Sequence, residues 1–179
     1  MQKTILITGC SSGIGLVAAN DLLSCGYRVI AACRRPNDVA HMEALGFIGV
    51  QLDLDDPASV DAAADRVLAL CEHRLYGLFN NGGFGQYGPL TSVSRQQLEK
   101  QFSTNVFGTH QLTMRLLPAL QASRDGRIIN TRSVLGLISM PGRGAYAAST
   151  PALEAWDHHP RNEVSTPGIR ATFMPPGPR

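Results

Sequence analysis

A glycine-rich segment near the start of the chain has the composition of a phosphate-binding loop. The segment TGCSSGIG, residues 8–15, joins an apolar run to a helical pattern. Glycine is needed where a backbone turns sharply and where a phosphate approaches it closely, and the N–H groups at a helix start can then hold a pyrophosphate. An ordinary tight turn is the alternative. The residues assigned to dinucleotide binding here are Gly9, Ser11, Ser12, Gly13, Ile14 and Gly15.

Two arginines follow the second apolar run, at the position that separates NAD from NADP. An acidic residue there would accept hydrogen bonds from a ribose 2′-hydroxyl group. The sequence has Arg34 and Arg35 instead, and two guanidinium groups suit a 2′-phosphate. A solvated basic loop is the alternative. The position favours NADP(H) as the cofactor, with Arg34 as its first contact.

Short β-rich runs alternate with helical patterns along the chain. Strands are predicted at residues 4–8, 27–33, 47–53, 75–81, 126–133 and 168–174. Helices are predicted at residues 13–26, at 37–46, after Asp56-Pro57, and at 94–121, where Pro118 kinks or ends the helix. Apolar strands that alternate with helices indicate a parallel sheet covered on both faces. We therefore predict an α/β Rossmann fold, with a doubly wound parallel sheet of about six strands in a single dinucleotide-binding domain, residues 1–179.

The composition is that of a globular chain. Of 179 residues, 44% are hydrophobic and 17% are charged, and the formal net charge is +2. This balance gives no reason to expect nucleic acid or a membrane surface as a partner, and no apolar run reaches the length of a membrane span. The four cysteines show no CxxC spacing and no His/Cys cluster has metal-ligand spacing. We expect free thiols, no metal and a cytoplasmic location.

Several motifs, in the right order, resemble the classical short-chain dehydrogenase/reductase family. Residues 8–15 fit its TGxxxGxG pattern, NNGG at 80–83 resembles its NNAG, and PG at 176–177 matches the PG after its sixth strand. Within the family, NNGGFGQYGPL and GLISMPGRGAYAAS look like bacterial NADPH-dependent aldehyde reductases and related hydroxysteroid dehydrogenases. The resemblance covers nearly the whole chain. Beyond the glycine loop and the arginines, it implies cofactor contacts at Asp53, Leu54, Asn81, Gly82, Tyr146 and Thr150.

The resemblance also implies that Asn105, Ser133 and Tyr146 are catalytic. Ser133 lies thirteen residues before Tyr146, which is the family's usual spacing. Reduction of a carbonyl needs a hydride, which a nicotinamide supplies, and a proton, which a tyrosine hydroxyl can donate. In the family, the serine binds the substrate oxygen and the asparagine holds a water. Singly, the three residues also fit a polar helix residue, a strand-end cap and a half-buried aromatic side chain.

Thr150 stands where the family has a lysine that lowers the tyrosine pKa and grips the nicotinamide ribose. Threonine carries no charge, and a neighbouring cation moves a pKa by about one to three units, so we expect turnover to fall by about a hundredfold or more. Pro151 should push residue 150 out of helical geometry. Tyr146 would then sit in a turn before a shortened helix that starts at Thr150-Pro151 and ends at Pro160.

Further departures lie near the end of the chain. Arg132 replaces a small residue and is expected to crowd the nicotinamide site. The chain ends at Arg179, where the family continues with a substrate-covering loop, a helix and a seventh strand, so we expect an incomplete domain. The family's tyrosine helix helps form the dimer, which implies a homodimer or homotetramer weakened by Pro151 and Pro160.

Three functions stay open at this point. The first is an NADP(H)-dependent reductase of aldehydes or ketones, acting on a small-molecule carbonyl or alcohol substrate. The second is a catalytically dead NADP(H)-binding pseudoenzyme or regulatory module, and the third is an α/β scaffold without a ligand. The segments expected to line the pocket are fairly apolar, which hints at hydrophobic carbonyl compounds.

Overall fold

Six parallel strands form one sheet in the computed structural model, which describes residues 2–131, 133, 135, 140–152 and 169–174. The strands are β1 (Thr4–Thr8), β2 (Arg28–Cys33), β3 (Ile48–Gln51), β4 (Gly77–Asn80), β5 (Gly126–Thr131) and β6 (Ile169–Met174). Their order is β3-β2-β1-β4-β5-β6, and each neighbouring pair is parallel. The predicted doubly wound α/β fold is confirmed. The strand order reverses between β1 and β4, where such sheets bind ligands.

Helices cover both faces of the sheet. They are α1 (Gly13–Ser24), α2 (Pro36–Ala44), α3 (Pro57–Leu70), α4 (Arg95–Phe102), α5 (Thr109–Ala122) and α6, residues 144–152. Alternate residues of β1 reach opposite cores, because successive side chains of a strand point to opposite faces. Leu6 packs in the core formed with α3 and α5, whereas Ile5 and Ile7 pack in the core formed with α1 and α2. As predicted, α3 begins at Asp56-Pro57, with the Asp56 carboxylate accepting from the Ala58 N–H at 3.0 Å.

The long helix predicted at residues 94–121 is interrupted. Between α4 and α5 lies a single π-helical segment, Ser103–Gly108, in which wider hydrogen-bonded turns accommodate the chain. Gly108 lies against the backbone of Leu54, and a Cβ there would collide with the Leu54 carbonyl. Pro118 lies inside α5, which continues to Ala122, so this proline does not end the helix.

The prediction for the helix near Tyr146 is wrong. Residues 144–152 are helical, so Tyr146, Thr150 and Pro151 all lie within α6. The helix is established before the proline, since the Ala147 N–H donates to the Arg143 carbonyl at 2.8 Å. Proline removes one later bond without preventing the turn. Arg132, Pro160 and residues 176–177 lie outside the described residues. Within the described part of the chain, no helix is both long and apolar enough to cross a membrane.

Candidate active site

The glycine loop occupies the junction of β1 and α1. Gly9 and Gly13 have φ values of +71° and +60°, in the region that favours glycine. A Cβ on Gly15 would come within 2.6 Å of Asn81 Nδ2, so the loop packs without room for a side chain. Ser12 precedes α1 and makes no side-chain capping bond to it. The N–H groups of the first turn are therefore left for an anionic ligand, and the cradle fits a pyrophosphate.

A cleft of about 360 Å³ opens beside this loop, at the carboxyl ends of β1, β2 and β3. The predicted cofactor residues that line it are Gly9, Ser11, Arg34, Arg35, Asp53, Leu54 and Gly82. Both arginines are exposed, and Asp53 Oδ1 accepts from the Asp55 N–H at 3.0 Å in a tight turn. Asp38 also lines the cleft. The sequence analysis missed Asp38, although a carboxylate four residues after Arg34 was a visible signal.

The other predicted loop residues belong to the start of α1. Ser12 and Gly13 are exposed there, whereas Ile14 packs against the core beneath and Gly15 is buried. The Ile14 side chain and the absence of one at Gly15 therefore shape the helix start, while the backbone N–H groups of this turn stay the predicted contacts of a pyrophosphate.

Asn81 ties the carboxyl ends of three strands together. Its Nδ2 donates to the carbonyl oxygens of Thr8 and Gly9 at 3.1 and 3.3 Å, and Thr131 Oγ1 donates to its Oδ1 at 3.2 Å. Thr8 Oγ1 in turn accepts from the N–H groups of Asn81 and Gly82 at 3.0 and 2.8 Å. Asn81 thus holds the glycine loop against β4 and β5.

A second cleft, of about 460 Å³, adjoins the first and shares Gly82, Gly83 and Phe84 with it. Its lining includes the four residues that the sequence analysis assigned to catalysis or to the ribose: Asn105, Ser133, Tyr146 and Thr150. These residues come from a helical segment, a strand end and a second helix. The structure therefore brings together positions that are up to 45 residues apart, from Asn105 to Thr150.

The Asn105 amide holds the loop after β4. Its Nδ2 donates to the Phe84 carbonyl at 2.9 Å, and its Oδ1 accepts from the Phe84 N–H at 3.1 Å. A Cβ on Gly83 would lie 3.2 Å from Asn105 Oδ1, so the glycine keeps the contact close. Both the oxygen and the nitrogen of the side-chain amide are thus hydrogen-bonded to the backbone of Phe84.

Ser133 sits just beyond β5. Its Oγ accepts from the Leu135 N–H at 3.2 Å, as a strand-end cap would. A hydroxyl that accepts such a bond keeps its own proton for another acceptor, such as a substrate oxygen. Tyr146 is half-buried in the same cleft.

The Thr150 hydroxyl is engaged by its own helix. Thr150 is 7% exposed, and its Oγ1 donates to the Tyr146 carbonyl at 3.1 Å. Ser149 Oγ donates to the same carbonyl at 2.8 Å. Thr150 therefore brings neither a charge nor an uncommitted donor to the cleft.

Gln101 is a buried polar residue that the sequence analysis missed. It is fully buried; its Oε1 accepts from the Gln86 N–H at 2.6 Å, and its Nε2 donates to the Phe84 carbonyl at 2.9 Å and to Ser149 Oγ at 3.2 Å. These bonds link the loop after β4 to α6. The signal in the sequence was a glutamine on the inward face of an amphipathic helix.

The thiol within the glycine loop is buried. Burial raises the pKa of Cys10 to about 12, and its Sγ donates to the Ile7 carbonyl at 3.2 Å. Cys10 is therefore a neutral packing residue at physiological pH.

Comparisons with known proteins agree with this geometry. Residues 3–179 match the family model described as short chain dehydrogenase. The chain is 60% identical to the Escherichia coli K12 protein named Uncharacterized oxidoreductase YbbO, over 99% of this chain and 66% of YbbO. It is 37% identical to human retinol dehydrogenase 5, over 97% of this chain and 55% of that protein. The chain thus spans less than two thirds of the length of either relative.

Solved structures show the same fold. A short-chain dehydrogenase from Streptomyces avermitilis matches with a TM-score of 0.92 at 32% identity, over 99% of this chain and 66% of that one. A metagenomic short-chain oxidoreductase in complex with NADP matches with a TM-score of 0.88 at 28% identity, over 99% of this chain and 83% of that one. Motifs, sheet order and family model agree: the chain belongs to the short-chain dehydrogenase family of oxidoreductases.

Proposed function

We propose that this chain binds NADP(H) and derives from reductases of aldehydes or ketones, with turnover lowered by Thr150. The observation that carries the proposal is the pair of adjoining clefts that share Gly82, Gly83 and Phe84. One cleft holds the arginine pair and the other holds Tyr146. A dinucleotide that lies across the shared residues would reach both ends.

The arginines are the basis for preferring NADP(H). Arg34 and Arg35 are exposed at the end of β2 and line the first cleft, where their guanidinium groups can receive a 2′-phosphate. Asp38 lines the same cleft and offers an acceptor for a 2′-hydroxyl group. NADH is therefore the essential comparison in any binding experiment.

The second cleft has groups suited to carbonyl reduction. The chemistry that a bound nicotinamide supplies is a hydride for the carbonyl carbon. Ser133 Oγ can donate to the carbonyl oxygen, and Tyr146 Oη can deliver the proton. Asn105 keeps Phe84 and its loop in place beside them. What the described lining lacks at position 150 is a cation to favour proton release by the Tyr146 hydroxyl.

Titration with NADPH and NADH, followed by nicotinamide fluorescence, tests the cofactor. We expect NADPH to bind at least tenfold more tightly than NADH. Since a charge-assisted hydrogen bond contributes about 1.5–3 kcal/mol, Arg34→Gln should weaken NADPH binding by about tenfold or more and leave NADH binding nearly unchanged. Arg66→Gln removes an equal charge from an exposed site on α3 and is the matched control. Failure to bind NADPH would overturn the proposal.

A Thr150→Lys variant tests the catalytic half. NADPH oxidation with hexanal should rise by about a hundredfold or more, since the restored ammonium stabilises the negative charge that develops on Tyr146 Oη as it gives up its proton. Thr150→Met is the matched control, with a long side chain and no charge. Testing Thr150→Lys and Thr150→Met again in a Pro151→Ala background separates the effect of the missing charge on activity from the effect of the proline.

A second candidate function, a catalytically inactive NADP(H)-binding module, is favoured by one observation. The Thr150 hydroxyl is buried and donates to the Tyr146 carbonyl, so it has no free proton and no positive charge to offer a ribose. If NADPH binds but Thr150→Lys gains no activity in either background, this candidate replaces the reductase.

A further inference from the structure

Arg143 places a cation at the mouth of the cleft that contains Tyr146. Arg143 directly precedes α6, is half-buried and lines the cleft. Its guanidinium carbon lies 3.7 Å from the centroid of the Tyr87 ring, which is exposed on the other side of the mouth. The Gly88 N–H donates to the Gly142 carbonyl at 2.9 Å and holds the two loops together. The guanidinium thus lies over an aromatic ring whose loop is tied to that of Arg143 by a backbone hydrogen bond.

This cation has no carboxylate partner within the described part of the chain. The ion pairs there involve other basic residues, and the cleft's described lining holds no second charged side chain. A stacked guanidinium keeps its N–H groups at its edge, where they can donate two parallel hydrogen bonds. A carboxylate is the ligand whose shape matches that edge.

Three apolar side chains, Phe84, Leu135 and Met140, also line the cleft, and Met140 is half exposed. Apolar side chains in the same cleft as an unpaired cation suit a molecule with a hydrophobic body and one anionic end. A purely hydrophobic molecule would leave the guanidinium edge without a partner.

We propose that Arg143 selects carbonyl or alcohol substrates that carry a carboxylate on a hydrophobic body. The inference rests on the proposed function, in which Tyr146 faces the reacting oxygen. Arg143 directly precedes α6, Tyr146 is the third residue of that helix, and both line the same cleft. A benzene ring or a short alkyl chain is therefore the linker that we expect between carboxylate and carbonyl.

Two matched alcohols test the inference without turnover. Calorimetry on the NADPH complex compares 4-(hydroxymethyl)benzoate with its methyl ester, since an alcohol does not react with the reduced cofactor. We expect the carboxylate to bind about tenfold or more tightly than the ester, and Arg143→Gln to abolish the difference. Arg143→Lys should keep part of it, because the charge remains without the planar fork. Arg66→Gln should keep all of it.

The outcomes separate the two proposals. NADPH binding is measured first, and its failure overturns the proposed function. If NADPH binds but the two alcohols bind equally, or neither binds, only the role of Arg143 is overturned. The same holds if Arg143→Gln keeps the carboxylate preference. Thermal melts verify that each variant is folded. If Arg143→Gln does not fold, the test is made with Arg143→Lys.

Discussion

Replacing Pro151 with alanine is expected to stabilise the chain. Pro151 is the eighth residue of α6, which begins at residue 144, and its side chain is exposed. Proline lacks the N–H that would donate to the carbonyl of Ala147, and its ring crowds that carbonyl. Alanine restores the bond and removes the crowding. No buried contact is lost, because the proline ring faces solvent.

The size of the effect follows from the helix position. A proline in a helix interior costs about 3 kcal/mol relative to alanine. For a domain of this length, 1 kcal/mol shifts the Tm by about 2–4 °C, so Pro151→Ala should raise the Tm by roughly 6–12 °C. The Thr150 and Ser149 hydroxyls already bond to the Tyr146 carbonyl and should not change.

Thermal unfolding followed by far-ultraviolet circular dichroism measures the shift. Pro36→Ala is the matched control, because Pro36 is also exposed but occupies the first position of α2, where proline is favourable. Its Tm should stay constant or fall slightly, since the unfolded chain gains freedom. A Tm for Pro151→Ala no higher than that of Pro36→Ala would refute the view that α6 tolerates its proline at a cost.

Three further predictions concern the glycine loop, the thiols and an ion pair at the start of β5. Gly15→Ala should abolish NADPH binding and lower the Tm, because its Cβ would clash with Asn81 Nδ2; calorimetry and thermal melts measure both. Cys25 is exposed and the other three thiols are buried, so a thiol reagent at pH 7 should modify one cysteine rapidly, and Cys25→Ser should remove that phase. The hydrogen bond from Arg127 holds the pKa of Asp125 below its ordinary value. Its stabilising effect is therefore present above about pH 4 and lost as the pH falls, and urea unfolding of Asp125→Asn should show a weaker loss of stability below that pH.

The order of elements could be predicted because each signal is local. Apolar runs with turn residues between them predicted all six strands. The first and last residues of each strand lie within two residues of the predicted ones. The third strand ends at Gln51, two residues early, because the Asp53 N–H donates to Ser59 Oγ and starts the turn toward α3. This hydrogen bond depends on a side chain that lies beyond the strand. A pattern of apolar residues within the strand cannot predict it.

The residues of the site were predictable where short motifs carry them. The glycine loop and Arg34 could be named from their positions after strands and Tyr146 from the family resemblance, and the structure puts all three in the two clefts or at their edge. The hydrogen-bond partners of Gln101 and the π-helical segment could not be predicted, because each depends on residues far away in the sequence. Gln101 bonds to Gln86 and to Ser149, which is 48 residues further along the chain.

The failed prediction for α6 shows how distant contacts outweigh a local rule. Proline at position 151 argues against a helix that includes Tyr146, yet Ser149 bonds to the buried Gln101 and Ala145 is buried in the same helix. These contacts lie before the proline and hold the helix in place. Tyr146 therefore keeps its position in the cleft while the cation expected at residue 150 is absent. Under the proposed function, the fold keeps the tyrosine in place, and the positive charge at position 150 is the part that a variant has to restore.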